Sequence, residues 1–336
     1  MIRLTCFIIL CGQSAMAVTA MQKRLVVVTG ANSAGIGKEC SRRIAGVDGY
    51  KVMMACRNVT AGHEAMADIV RENPDACVEC CALDLASFSS VRAFAKNSIG
   101  SQSVSAVVHN AGVMAPPFIT TVDGHELTFQ VNHLAPFYLT ELLLPNMRKA
   151  HKETGEASRV VLVASGTHRW ATSRGRGAAG GLASGAGVAS RGEEAAQRHW
   201  TMKRWGAYAG SKLCNVLYAA ELTKRYWRRE GDDGGGQVWA VAVRPGTVRT
   251  NIVRHSLLMR LLFAVANPLL TSTEKAGEIL ANAVLNPEIV PGSYYDQTTP
   301  KPASAAARDS ALQAALWEVS KNVLVSDGDL QCAVEI

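Results

Sequence analysis

From Leu25 onward, short runs of β-branched and other apolar residues alternate with longer amphipathic stretches, the pattern of strand–helix units wound around a parallel sheet. The runs predict strands over Leu25–Thr29, Lys51–Ala55, Val78–Leu83, Val104–His109, Arg159–Ala164 and Gln237–Val243, each nearly continuous in apolar residues, as a strand covered on both faces should be. Period and length predict helices after Gly37 and over Thr60–Glu72, Ser87–Asn97, Gly124–Ala150 and Ala207–Arg229. Gly231–Gly236 reads as a loop. No internal repeat and no linker divides the chain, so the expectation is one α/β domain over residues 23–324, a doubly wound parallel sheet with helices on both faces, followed by a tail at 325–336.

Two segments break this pattern. Thr172–Gln197 is dominated by Gly, Ala, Ser and Arg and has almost no large apolar residue. It buries too little to offset the entropy of ordering it, and is expected to be a disordered insertion in a loop. At the start, Arg3 precedes the apolar run Leu4–Leu10 and then Ala15-Met16-Ala17. Residues 1–22 therefore read as a secretory signal, a short membrane anchor or a bland extension, and these readings stay open. The first two point to a secretory-route compartment such as the endoplasmic reticulum membrane, the third to the cytoplasm.

Composition is globular, with 48% hydrophobic and 19% charged residues in 336. The formal net charge of +7 raises nucleic acid or an anionic membrane surface as partners. Most of the excess lies between Arg169 and Gly206, where seven basic residues face only Glu193 and Glu194. That stretch lacks the interleaved aromatics of a nucleic-acid arm, so nucleic acid is not expected and membrane-surface association stays open. The nine cysteines are irregularly spaced and read as free thiols. Cys77, Cys80 and Cys81 lack the second ligand pair a metal needs and read as part of a buried strand, so no metal is expected.

The chemistry sits at strand ends. After the first strand comes Thr29-Gly-Ala-Asn-Ser-Ala-Gly-Ile-Gly37, opening onto a helix. Its Gly30, Ser33, Gly35, Ile36 and Gly37 would let the backbone approach a pyrophosphate at the helix N-terminus. Arg57 follows the second strand where an NAD site usually carries an acid, and a guanidinium there suits a 2′-phosphate, hence NADP(H) over NAD(H). Asp84, before Leu85, could accept from an adenine amino group or cap the next helix. Tyr208 and Lys212 lie four apart and share a helix face. A phenol titrates near pH 10 on its own, so it works near neutrality only with its phenolate stabilised, as by an adjacent ammonium and an oxidised nicotinamide.

In order along the chain, the glycine loop, Ala55–Asn58, Leu83–Leu85, His109–Gly112, Asn132–Leu134, Val161–Ser165, Tyr208–Lys212, Arg244–Gly246 with Thr250, and Gly292–Tyr295 resemble the motifs of the short-chain dehydrogenase/reductase family, in its retinol-dehydrogenase-like branch. The resemblance implies a Rossmann-type domain with Tyr208 as general acid/base. It implies that Lys212 lowers the tyrosine pKa and binds the nicotinamide ribose, that Ser165 hydrogen-bonds the substrate oxygen, and that Asn132 holds a proton-relaying water. Asn110, Ala111 and Gly112 would line the adenine–ribose side, and Pro245, Gly246, Val248 and Thr250 the nicotinamide carboxamide. The implied activity is NADP(H)-dependent interconversion of an alcohol and a carbonyl. A double-bond reductase of the same family and a non-catalytic dinucleotide-binding regulator are the alternatives.

Three features depart from the family pattern. The glycine loop has four residues between Gly30 and Gly35 where three are usual, His109 replaces an asparagine, and the insertion stretches the interval between Ser165 and Tyr208. Downstream, the apolar stretch Ser256–Ala266 reads as a lid favouring a small lipophilic substrate, as a core helix, or as a homodimer contact.

Overall fold

The computed structural model describes residues 23–32, 35–171, 193–227, 237–248 and 270–326, with the side chains of 193–203 left aside. Residues 1–22, Ser33, the insertion as far as residue 192, the Gly231–Gly236 loop, Thr250, the Ser256–Ala266 stretch and the tail from 327 lie outside them.

Eight strands form one sheet in the order β3-β2-β1-β4-β5-β6-β7-β8. They are β1 (Arg24–Thr29), β2 (Tyr50–Cys56), β3 (Val78–Ala82), β4 (Val104–His109), β5 (Ser158–Val163), β6 (Val238–Arg244), β7 (Tyr294–Asp296) and β8 (Thr299–Pro300). All neighbours run parallel except β7 and β8. Strand order reverses between β1 and β4, which opens a crevice at their carboxyl ends. Because side chains alternate across a strand, the apolar runs feed two cores. Leu25, Val27, Met53 and Val107 enter one, and Val26, Val28, Met54 and Val108 the other.

The helices are α1 (Ile36–Ala45), α2 (Val59–Glu72), α3 (Phe88–Ala93), α4 (Ala135–Thr154), α5 (Glu193–Tyr226), α6 (Thr273–Leu285) and α7 (Ser310–Ser326). Residues from α1, α2 and α6 contribute to one core, and residues from α3, α4, α5 and α7 to the other, giving the expected doubly wound arrangement. Among the described residues no helix is long and apolar enough to cross a membrane.

Several elements differ from the sequence expectation. The helix expected from Gly124 starts later. Gly124 has φ +82°, and the first turn is Leu127–Phe129, where the Glu126 carboxylate accepts from the Thr128 and Phe129 N–H groups at 2.8 Å each. A π-helical turn, Gln130–Leu134, then leads into α4. Helix α5 begins at Glu193, so Glu193–Gln197 are helical rather than part of a disordered insertion. Strand β3 is an edge strand, and Cys77, Cys80 and Cys81 are half-buried rather than fully enclosed. Helices α6 and α7 and strands β7 and β8 stand where the apolar pattern assigned no element.

Candidate active site

The glycine loop leaves β1 through Gly30, whose φ of +69° lies in the left-handed region. A β-carbon there would meet the Ala111 Cα at 2.9 Å. Seven residues on, a β-carbon at Gly37 would meet Asn110 Nδ2 at 2.6 Å and the Gly30 carbonyl oxygen at 2.7 Å. The loop is thus packed against the chain following β4. Asn110 donates from Nδ2 to the carbonyls of Thr29 and Gly30 at 2.9 and 3.2 Å, and the Ala111 N–H donates to Thr29 Oγ1 at 3.1 Å. The Asn110 amide therefore ties the loop to the end of β4.

Helix α1 starts at Ile36 with no side-chain cap on Gly35, and a β-carbon at Gly35 would meet nothing within 4 Å among the described residues. An uncapped helix N-terminus suits a phosphate. Arg57, just past β2, is exposed and makes no hydrogen bond or ion pair to another described residue. Asp84 does not cap the following helix. Its Oδ1 accepts from the Ala86 N–H at 2.9 Å, and Ser87 is the cap of α3. Leu85 is buried. These residues fit a dinucleotide.

Beyond β6, Pro245 and Val248 are buried. Gly246 has φ +102°, and a β-carbon on it would collide with Thr271 Oγ1. The Thr271 N–H donates to the Thr247 carbonyl at 2.9 Å, and Val248 pairs with Thr271. Val248 and Thr271, which flank residues 249–269 outside the described structure, therefore lie side by side beyond the carboxyl end of β6.

Tyr208, Lys212, Ser165 and Asn132 converge where β4 and β5 end. Ser165 immediately follows β5 and opens a 3-10 turn, Gly166–Arg169, its Oγ accepting from the Thr167 N–H at 3.3 Å. Tyr208 is buried on α5 and packs with Met114, Ala115 and half-buried Trp205. Ala115 holds φ +46°, a strained value for a residue with a side chain, beside the phenol. The buried Lys212 donates from Nζ to the Val163 carbonyl at 2.9 Å, and Asn215 Nδ2 donates to the same oxygen at 3.1 Å. The ammonium lies 5.7 Å from the Tyr208 ring centroid.

Asn132 occupies the π-helical turn, a rare conformation that recurs at functional sites. Its Oδ1 accepts from the Val113 N–H at 2.8 Å, and its Nδ2 donates to the Val113 carbonyl and to Ser211 Oγ at 3.0 Å each. Both amide hydrogens are committed to protein, leaving only acceptor capacity for a water.

Electrostatics differ from the implied picture in one respect. Burial pushes the Tyr208 phenol up to about 12, while the hydrogen-bonded Ser165 hydroxyl works the other way. Burial also brings Lys212 down to about 8. In the protein without a bound nicotinamide, burial therefore outweighs the lowering by Ser165 and the phenol is neutral near pH 7. His109 is likewise neutral, held down to about 3 by burial, with its Nε2 bonded to Thr140 Oγ1 at 2.8 Å in the core.

Sequence reasoning missed Ser211, Asn215 and His168. His168 is buried beside the serine turn and packs at a tilt against Tyr294, with ring centroids 4.8 Å apart. Its position three residues after Ser165 was the available signal.

The family profile described as short chain dehydrogenase matches residues 24–175. Retinol dehydrogenase 12 of Bos taurus is 34% identical over 304 residues, covering 90% of this chain and 86% of that protein. A WW domain-containing oxidoreductase of Drosophila melanogaster is 33% identical over 311 residues, 90% of this chain and 68% of that protein. Among solved structures, a protein from Mycobacterium paratuberculosis superposes with a TM-score of 0.64 at 29% identity, covering 90% of this chain and 94% of the other.

Proposed function

The chain belongs to the short-chain dehydrogenase/reductase family, on its retinol-dehydrogenase-like branch, and is an oxidoreductase; from that premise we propose that it interconverts an alcohol and a carbonyl on a small lipophilic substrate, using NADP(H). The observation that carries the reading is the convergence of Tyr208, Ser165 and Lys212 at the crevice. The exposed Arg57 just past β2 supports recognition of a 2′-phosphate, and so NADP(H).

Gly30, Ser33, Gly35, Ile36 and Gly37 would hold the pyrophosphate, Arg57 the 2′-phosphate, and Asp84 and Leu85 the adenine. Ala111 and Gly112 would flank the ribose, with Asn110 keeping the loop in register. Pro245, Gly246, Val248 and Thr250 would hold the nicotinamide carboxamide, and Lys212 its ribose. When bound, the cofactor supplies or takes up the hydride. In reduction the neutral Tyr208 phenol donates its proton to the substrate oxygen while Ser165 hydrogen-bonds that oxygen. The Lys212 ammonium, fixed by the Val163 carbonyl, favours the phenolate that remains. In oxidation that phenolate takes the alcohol proton. The apolar wall of Met114, Ala115 and Trp205 beside the phenol supports a lipophilic substrate.

The test is turnover of NADPH and NADH with retinal, a steroid ketone and a short aliphatic aldehyde. NADPH oxidation fastest with a lipophilic carbonyl supports the reading. Tight NADPH binding with no turnover of any carbonyl would favour a non-catalytic regulator.

A further inference from the structure

We propose that His168 is a positioning residue for Ser165: its neutral ring, protonated on Nδ1, braces the serine turn against the chain segment at Pro302–Ser304. This rests on the proposed role of Ser165 in holding the substrate oxygen.

The ring spans two pieces of chain 136 residues apart. On one side, Nδ1 lies 2.7 Å from the Ser165 carbonyl oxygen, which also accepts from the His168 backbone N–H at 3.2 Å. On the other, the Ser304 N–H donates to Nε2 at 3.2 Å. A backbone N–H can only donate and a carbonyl can only accept, so Nε2 is the bare nitrogen and Nδ1 carries the hydrogen. No other protonation state satisfies both partners. A protonated ring would set an N–H against the Ser304 N–H, and the other tautomer would also face Ser165 with a lone pair.

The surroundings hold the ring in this pose. It is fully buried and packed at a tilt of 55° against the ring of Tyr294 of β7, and Arg169 donates to the Pro302 carbonyl at 2.8 Å, a second tie between the same two segments. Ser165 caps the short turn Gly166–Arg169, so the direction of its hydroxyl depends on how that turn is anchored. Side chains on loops need such support, because a displacement near 1 Å at a reacting group can cost about a hundredfold in rate.

Two measurements test the brace. In protein labelled with nitrogen-15 histidine, long-range proton–nitrogen correlation should give the His168 ring as the Nδ1–H tautomer at neutral pH. A ring protonated on Nε2, or on both nitrogens, overturns the proposal whether or not the protein turns over any substrate. In turnover, His168→Phe keeps a ring packed against Tyr294 but loses both hydrogen bonds. It should lower kcat about 10- to 100-fold while the KM for NADPH stays within about twofold. His168→Asn, whose Nδ2 reaches the place of Nδ1, should recover most of kcat. In a Ser165→Ala background the further effect of His168→Phe should shrink below about twofold, because the group being positioned is gone. Undiminished kcat in His168→Phe, or the full loss persisting in the Ser165→Ala background, would show that His168 does not act through Ser165. If His168→Phe fails to fold, the Asn variant and the tautomer decide. Absence of all turnover in the unmutated protein would sink the functional reading and leave the tautomer as the test of the brace.

Discussion

Replacing Tyr208 by phenylalanine removes one hydroxyl from a buried cluster and leaves Lys212 bonded to the Val163 carbonyl. Turnover should fall at least about a thousandfold, as expected for loss of a proton donor, while NADPH affinity measured by fluorescence titration changes less than about threefold. Activity near the unmutated level would remove Tyr208 from the mechanism. Arg57→Asp replaces an exposed cation by an anion where a 2′-phosphate would lie, and should shift the ratio of kcat/KM for NADPH over NADH by about tenfold or more toward NADH. An unchanged ratio assigns cofactor choice elsewhere. Residues whose own chemistry suggests a role could be proposed from spacing, as with the four-residue interval of Tyr208 and Lys212, whose ammonium lies 5.7 Å from the ring centroid. The partners that fix them could not. The Val163 acceptor is a backbone oxygen, and Asn132 meets Ser211 79 residues later in the chain, so neither leaves a local pattern.

At the scale of elements, the six long strands were legible because strands covered on both faces read as unbroken apolar runs. The errors have equally local causes. Strand β7 is only three residues long and β8 two, too short for any periodicity. Helix α6 did carry a signal, since Ser272 caps it and Glu274 lies in its first turn, but its apolar face is made partly of alanines and a glycine. That glycine marks close helix packing. A β-carbon on Gly277 would collide with the Glu39 side chain and sit 2.8 Å from the Cys40 nitrogen on α1, so backbone rather than a flexible tip must move. Gly277→Ala should therefore destabilise the protein by about 1–3 kcal/mol in denaturant unfolding, although alanine is the better helix former. A neutral or stabilising effect would mean that α1 and α6 separate at little cost.

The molecule as a whole is held together by helices distant in sequence, and α4, α5 and α7 meet in an aromatic cluster of Phe137, Tyr218, Tyr226 and Trp317. Glu141 lies at its edge. The Tyr226 hydroxyl donates to Glu141 Oε2 at 3.1 Å, while Oε1 is buried without a hydrogen-bond partner among the described residues. Burial pushes this carboxyl from 4.5 up to about 7, against the opposing pull of Tyr226, Lys321, Arg148 and Arg225. Tyr218, itself pushed up by burial and by Glu141, faces the same carboxyl. A carboxyl with a raised folded-state pKa contributes stability that is fully present below 4.5 and lost as pH rises through about 7. Glu141→Gln keeps the shape and the acceptor for Tyr226 but cannot ionise. Its stability relative to the unmutated protein should therefore increase between about pH 5 and pH 8, by up to about 3 kcal/mol. Denaturant unfolding at both pH values measures this. If the difference between the two proteins stays flat across that window, the Glu141 carboxylate is stabilised as an ion by the cations around it, and the helix junction tolerates its charge.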